Sequence, residues 1–324
     1  MTTIAVRPVA PQLGSMHSRP SPARSIASVA VRPPIVPLLW LVALCLIGGL
    51  SIPLAKIGLQ FFPPLLLTTL RYLVAAPFFV WLVLRFPLPS RSALLAMAAL
   101  GMLGIPIGQV TQILGVERTQ ASVATILAAT TPLFVVLLAQ WRLRQPLRLM
   151  HLLGLGLALA GVSVIMARRS PISPLEIAAT ELIGDALMLI SALSMALYYV
   201  LSAELAQRYP TETVAAWSSL LGTAALAPFA VWNLDQTTVS AGLLGVGVVL
   251  YLGVLATVLG LWIWLNALSS LPARIAAGTI YLQPLIGVSV SAAVLGDPIS
   301  QSFGIGAGLI CFGIVLTASR QPQR

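Results

Sequence analysis

Within the apolar run 61–83 stands a single arginine, in Leu70-Arg71-Tyr72. A guanidinium at that place has two chemical uses. It can anchor a carboxylate or phosphate on a bound molecule, or it can donate to helix carbonyls and lock neighbouring segments together. Either use must offset roughly 2.5–3.5 kcal/mol, the cost of a charge at the centre of a membrane helix. Pro132 and Pro284 are the next signal, each midway along an apolar run. Proline has no N–H and frees the carbonyl one turn earlier, so a kink is predicted at both. Thr130, Thr131, Tyr281 and Gln283 bring polar groups to those kinks. Such groups line a cavity between discontinuous helices, or their hydroxyls bond back to their own helix. Ser191, Ser194 and Tyr198 recur at spacings of three and four, which puts them on one helix face. That face turns into a bundle, where it lines a cavity or makes interhelical hydrogen bonds. Gln109 and Gln112 stand nearer one end of the run 93–112 and are candidates for a cavity mouth.

Enzyme chemistry finds little to work with. There is no G-x-S-x-G and no H-E-x-x-H, and His17 and His151 are far apart. Cys45 and Cys311 each sit inside an apolar run and read as small core residues. No metal-ligand spacing results, so neither a metal nor a cofactor is expected. Glu117, Glu176, Glu181, Asp185, Asp235 and Asp297 fall at loops or run ends, and Glu204 and Glu212 bracket another loop. A general acid–base pair needs convergent ionisable groups, and none is visible at depth. Proton relays in membranes also use Asp, Glu and His. Passive exchange therefore stands beside proton coupling as a way to drive any transport.

The elements that must hold these residues follow from composition. Of 324 residues 58% are hydrophobic and 8% charged, with a mean hydropathy of +0.99. Soluble domains carry about 25% charged residues, so the solvent here is lipid. Ten apolar runs approach the roughly 20 residues that span a bilayer: 35–54, 61–83, 93–112, 121–140, 149–167, 183–203, 213–232, 242–264, 274–294 and 302–319. The fold expected is an all-α integral membrane protein. Residues 1–33, rich in Arg, Pro and Ser, lack a signal-peptide core and read as a disordered basic arm. A cytoplasmic N-terminus puts thirteen of the eighteen basic residues inside and only Lys56, Arg118, Arg168 and Arg169 outside, as the positive-inside rule asks. Both ends are then cytoplasmic, in a bacterial-type inner membrane. The seven tryptophans fall near run ends, as an aromatic belt should. The net charge of +10 thus belongs to membrane topology. Nucleic acid is not an expected partner; the lipid bilayer and a small-molecule substrate are. Monomer and homodimer both stay open.

The chain also repeats itself. At an offset of 152 residues, Leu100-Gly101 meets Leu252-Gly253 and Pro132-Leu133 meets Pro284-Leu285. Gly154, Gly156 and Gly161 meet Gly306, Gly308 and Gly313. Several Gly and Pro matches in one register are hard to obtain by chance. Each copy, 34–168 and 182–319, holds five of the ten runs, and an odd number inverts the second copy in the bilayer. Inverted repeats are the plan of secondary transporters, with the site near the midplane between the halves.

These features resemble the drug/metabolite transporter superfamily, EamA type, with two EamA units. The carriers are Leu70-Arg71-Tyr72, the run Ala192–Tyr198, Thr257, Gln283-Pro284-Leu285 and Leu295-Gly296-Asp297-Pro298. Asp297 stands where the family usually has Glu. The resemblance implies a transporter working by alternating access, gated at Pro132 and Pro284, and adds Thr257 to the cavity candidates. Because family members of varied substrates carry this Arg, it favours a locking role for Arg71. The reading that results is an exporter of a small polar or amphipathic, amino-acid-like metabolite. A multidrug efflux transporter and a non-transporting assembly or lipid-binding protein are the alternatives.

Topology is directly testable. Cysteines introduced at positions 21 and 322 should resist an impermeant thiol reagent in intact cells, and one at 172 should react. Strong labelling at 322 would mean an odd number of spans and would remove the inverted repeat.

Overall fold

The computed structural model describes residues 35–143, 149–167, 175–234, 242–264 and 282–318. Every regular element among the described residues is helical. In chain order they are α1 (Ile35–Gly58), α2 (Pro64–Val83), α3 (Arg91–Arg118), α4 (Ala121–Ala128) and α5 (Thr131–Leu143). There follow α6 (Leu149–Ala167), α7 (Leu175–Leu205), α8 (Thr211–Leu234), α9 (Leu243–Trp264), α10 (Leu282–Leu295) and α11 (Gln301–Ala318). By length and composition six helical stretches among the described residues can cross a membrane: α1, α2, α3, α4 with α5, α7 and α9. Shorter apolar helices occur in α6, α10 and α11.

Several boundaries differ from the sequence reading. The run expected at 93–112 is longer, and α3 changes to π-helical hydrogen bonding over Leu103–Gln109. A second π-helical stretch, Tyr251–Leu259, lies inside α9. The expected kink at Pro132 is a full break two residues earlier, at Ala129 and Thr130. Pro132, second in α5, has no N–H for the Ala128 carbonyl. The Thr131 hydroxyl donates to that carbonyl instead, at 2.7 Å, and Thr130 Oγ1 donates to Leu127 O at 2.6 Å. The break is therefore closed by its own hydroxyls. Helix α7 begins at Leu175, a full two turns before the expected 183. Of the run 274–294, residues 274–281, with Tyr281, lie outside the described residues.

Lipid drives no hydrophobic association between apolar helices, so close approach through small residues does that work. Helices α6 and α11 show it. A Cβ on Gly161 would stand 2.5 Å from the Gly306 carbonyl oxygen, and one on Gly313 would collide with the Gly154 carbonyl. The flanks are filled by buried Ala158, Val162, Ile165, Ile310 and Ile314. Helices α3 and α8 touch in the same manner, where a Cβ on Gly222 would lie 2.5 Å from Gly101 O. Further buried clusters join α2 to α3 and α8 through Tyr72, Phe79, Ile105 and Leu226, and α1 and α2 to α9 through Ala55, Leu67, Val248 and Leu252.

The glycine contacts separate two kinds of substitution. Gly161→Ala and Gly313→Ala should each cost about 1–3 kcal/mol by overpacking backbone against backbone. Gly156→Ala and Gly308→Ala meet nothing within 4 Å and should leave the melting temperature unchanged or slightly raised. Melting curves of the four purified variants check this, and equal losses in all four would contradict it.

Candidate functional site

Arg71 lies on α2, half-buried, seven residues after the helix starts at Pro64. Its Nε donates to Thr257 Oγ1 at 2.9 Å, and its Nη1 donates to Gln109 Oε1 at 3.1 Å. Both acceptors sit on π-helical stretches, Gln109 on that of α3 and Thr257 on that of α9. A single guanidinium thus ties three helices together. The acceptors are neutral side chains where the locking role was expected to use helix carbonyls, and the tie between helices is one that role also requires. They satisfy donors without cancelling the charge. The Tyr72 ring, 5.5 Å from the guanidinium carbon, adds a cation–π contact.

Beside Arg71 is a cavity of about 30 Å³, lined by Ser51 on α1, Thr68 on α2, Gln109 and Gln112 on α3, and Leu252 on α9. That is space for roughly one to three waters, so in this conformation the centre is nearly filled. Among the described residues no group of His, Cys, Asp and Glu could hold a metal. The Ser51 and Thr68 hydroxyls donate to Ile47 O at 2.9 Å and Pro64 O at 3.0 Å on their own helices, so what the lining offers a small anionic or zwitterionic group is one cation and two amides.

The remaining residues singled out from sequence are placed differently. Ser194 Oγ donates to Leu103 O and Ser191 Oγ to Gly108 O, both at 2.8 Å. These carbonyls flank Pro106 in the π-helical stretch of α3, where the regular ladder is disturbed. The polar face of α7 therefore spends its hydroxyls on α3 backbone. Tyr198 pairs with Ser218 on α8 at 3.1 Å. Thr130 and Thr131 turn to their own backbone, as described above. Gln283 and Pro284 lie in the first turn of α10, where the Gln283 amide packs over Gly48 of α1. Gln109, expected at a mouth, is bonded into the centre through Arg71.

Sequence reasoning missed Ser51 and Thr68. The signal for Thr68 was present, since it precedes Arg71 by three residues and so shares its face. It also missed Lys56, whose ammonium meets three carbonyls at the end of α3. Carbonyl partners leave no trace in a sequence.

Membrane-length helices around an interior cation and a polar cavity define a polytopic membrane protein with a site inside the bundle. Residues 35–167 and 182–319 each match the EamA-like transporter family, and the chain belongs to that family of membrane transporters. It is 30% identical over 273 residues to an uncharacterized transporter of Archaeoglobus fulgidus, covering 83% of this chain and 92% of that protein. A relative in Salmonella typhimurium, 26% identical over 83% of this chain and 90% of its own length, is named a probable amino-acid metabolite efflux pump. One crystal structure shares the fold at a TM-score of 0.58 and 20% identity, over 87% of this chain and 95% of that one.

The α7 serines can be tested apart from the cavity. Ser191→Ala and Ser194→Ala should each lower stability by about 0.6 kcal/mol, the mean for interhelical hydrogen bonds in membranes, with solute selectivity unchanged. Altered selectivity at normal stability would move these hydroxyls into the substrate path.

Proposed function

We propose that this chain exports a small metabolite bearing an anionic group, amino-acid-like and zwitterionic in the simplest case, across a bacterial inner membrane. Transport is by alternating access. The observation that carries the reading is Arg71, an interior cation beside a polar cavity, with one neutral partner from each copy of the repeat, Gln109 and Thr257. A substrate carboxylate supplies the opposite charge and displaces Gln109 or Thr257, the charge-assisted bond it makes offsetting the neutral acceptor that Arg71 gives up. The amino-acid metabolite efflux pump among the relatives is consistent with this class. A drug pump would be expected to present a larger, more apolar chamber.

The architecture proposed is ten spans, with residues 34–168 and 182–319 as inverted halves and both termini cytoplasmic. Contacts between helix ends support it. Arg142 pairs with Glu204 at 2.8 Å and Ser90 with Tyr209 at 3.2 Å, all in loops or ends assigned inside. Ser122 N–H donates to Asp297 at 2.7 Å, both assigned outside. The glycine contacts support the inversion. At the offset of 152, the pair Gly161 with Gly306 becomes Gly313 with Gly154, and the structure contains both. The order of those contacts makes α6 and α11 antiparallel, as an inverted copy requires. Gly101 against Gly222 has its counterpart in Gly253 against the Arg71 backbone. The halves rock about the break before Pro132 and the matching Pro284.

Efflux from proteoliposomes tests the function. Vesicles loaded with labelled amino acids should empty faster with the protein than without it, and Arg71→Gln should slow that efflux at least about tenfold, the loss expected for a desolvated charged contact. No flux above protein-free vesicles for amino acids, nucleosides, sugars and phosphates would overturn the reading.

A further inference from the structure

Two cavities lie one beyond the other along the end of α1, and the division falls between its consecutive residues Ala55 and Lys56. Ser51, Ile52 and Ala55 line the Arg71 cavity. Lys56, Leu59 and Gln60 line a second, open cavity of about 370 Å³, whose other walls include Glu117 and Asp297. On α3 the division falls at the same level, with Val116 in the first cavity and Glu117 in the second. The partition is therefore the end of α1 set against the end of α3.

Its polar tie is Lys56. The ammonium donates to the carbonyls of Val116 at 2.6 Å, Glu117 at 2.9 Å and Thr119 at 2.9 Å. The last carbonyls of a helix have no intrahelical partner, and an ammonium has three N–H donors, so each side completes the other. Three residues earlier Pro53 interrupts α1 and has no N–H for the Gly49 carbonyl. Bending is cheapest there.

The other face of the α3–α4 turn is pinned. Thr119 Oγ1 donates to Oδ1 of fully buried Asp185 on α7 at 2.7 Å. The Ser122 N–H, in the first turn of α4, donates to Asp297 Oδ2 at 2.7 Å. Gly296, at φ 71°, takes the left-handed conformation that turns the chain into Asp297 after α10. The turn is thus a frame fixed by α7 and the α10–α11 connection, and the end of α1 is the leaf that can leave it.

We propose that the last turn of α1 is a gate, hinged at Pro53 and bolted by Lys56 to the carbonyl end of α3. Releasing the bolt joins the two cavities and opens the Arg71 centre toward the Lys56 end of the bundle. The identity of what passes rests on the transport reading above; the gate itself does not.

The test needs no substrate. In a background with Cys45 and Cys311 replaced by alanine, Gln112→Cys puts a reporter thiol in the inner cavity. Its labelling by an impermeant thiosulfonate is timed in intact cells and in inside-out vesicles. Lys56→Gln should speed labelling at least about tenfold, the population shift that one lost charge-assisted hydrogen bond produces. Pro53→Ala leaves the carbonyl contacts in place and should slow labelling, which keeps the test decisive if Lys56→Gln is poorly folded. Acceleration from either face supports the gate, and the face that responds reports the orientation separately. Equal rates in the parent, Lys56→Gln and Pro53→Ala, on both faces and at equal melting temperatures, overturn it.

Discussion

A guanidinium in a bundle whose one fully buried acid among the described residues, Asp185, is engaged by Thr119 is the constraint on which the centre of this molecule depends. Arg71 cannot shed its proton, and lipid offers it neither water nor counter-ion. The fold answers with two neutral acceptors, Gln109 and Thr257, delivered from α3 and α9. Both stand where the helix leaves α geometry for π geometry. Such stretches are rare and cluster at functional sites because they reorient a side chain at the expense of a regular ladder. The polar centre and the irregular backbone are thus one feature. Carrying Gln109 and Thr257 to Arg71 requires two helices to depart from regularity at one depth.

Those departures must be made good locally, since an unpaired backbone group in hydrocarbon costs several kcal/mol. Several irregular backbone groups are met by side chains. Ser191 and Ser194 reach across from α7 to the carbonyls beside Pro106, Thr131 serves the carbonyl that Pro132 cannot, and Lys56 finishes the end of α3. These remedies rest on hydroxyls and one ammonium, donors that can be surrendered and regained without unfolding a helix. A transporter needs that property, because its helices must change partners in every cycle. The close glycine contacts of α6 with α11 are backbone against backbone and offer no such exchange.

Much of this was legible in the sequence. Apolar runs marked where helices form, and the glycines read as allowing close helix contact include those that meet across α6 and α11, though in crossed pairs, Gly161 with Gly306 and Gly154 with Gly313. Arg71 stood out by charge alone. The break before Pro132 was expected as a kink, and the side-chain remedy by Thr131 was one of two readings open. The π-helical stretches were hidden, because no residue pattern distinguishes them and they depend on donors from another helix. For the same reason the α7 serines could be placed on one face but not assigned to cavity or backbone. Lys56 read as a loop charge, since its three partners are carbonyls that every residue carries. The match of residues 35–167 and 182–319 to one family agrees with the repeat read from spacing.

Arg71 as a waiting counter-ion makes a claim about binding that purified protein can answer. Melting temperature should be measured against matched pairs of ligands, each amino acid with its amide and each carboxylate with its methyl ester, on the parent and on Arg71→Gln. A ligand that binds only the folded state raises the melting temperature in proportion to its affinity. At least one carboxylate should stabilise the parent while its amide does not, and Arg71→Gln should lose the difference. Amides that stabilise the parent as well as their acids, or an acid preference that survives in Arg71→Gln, would contradict the account.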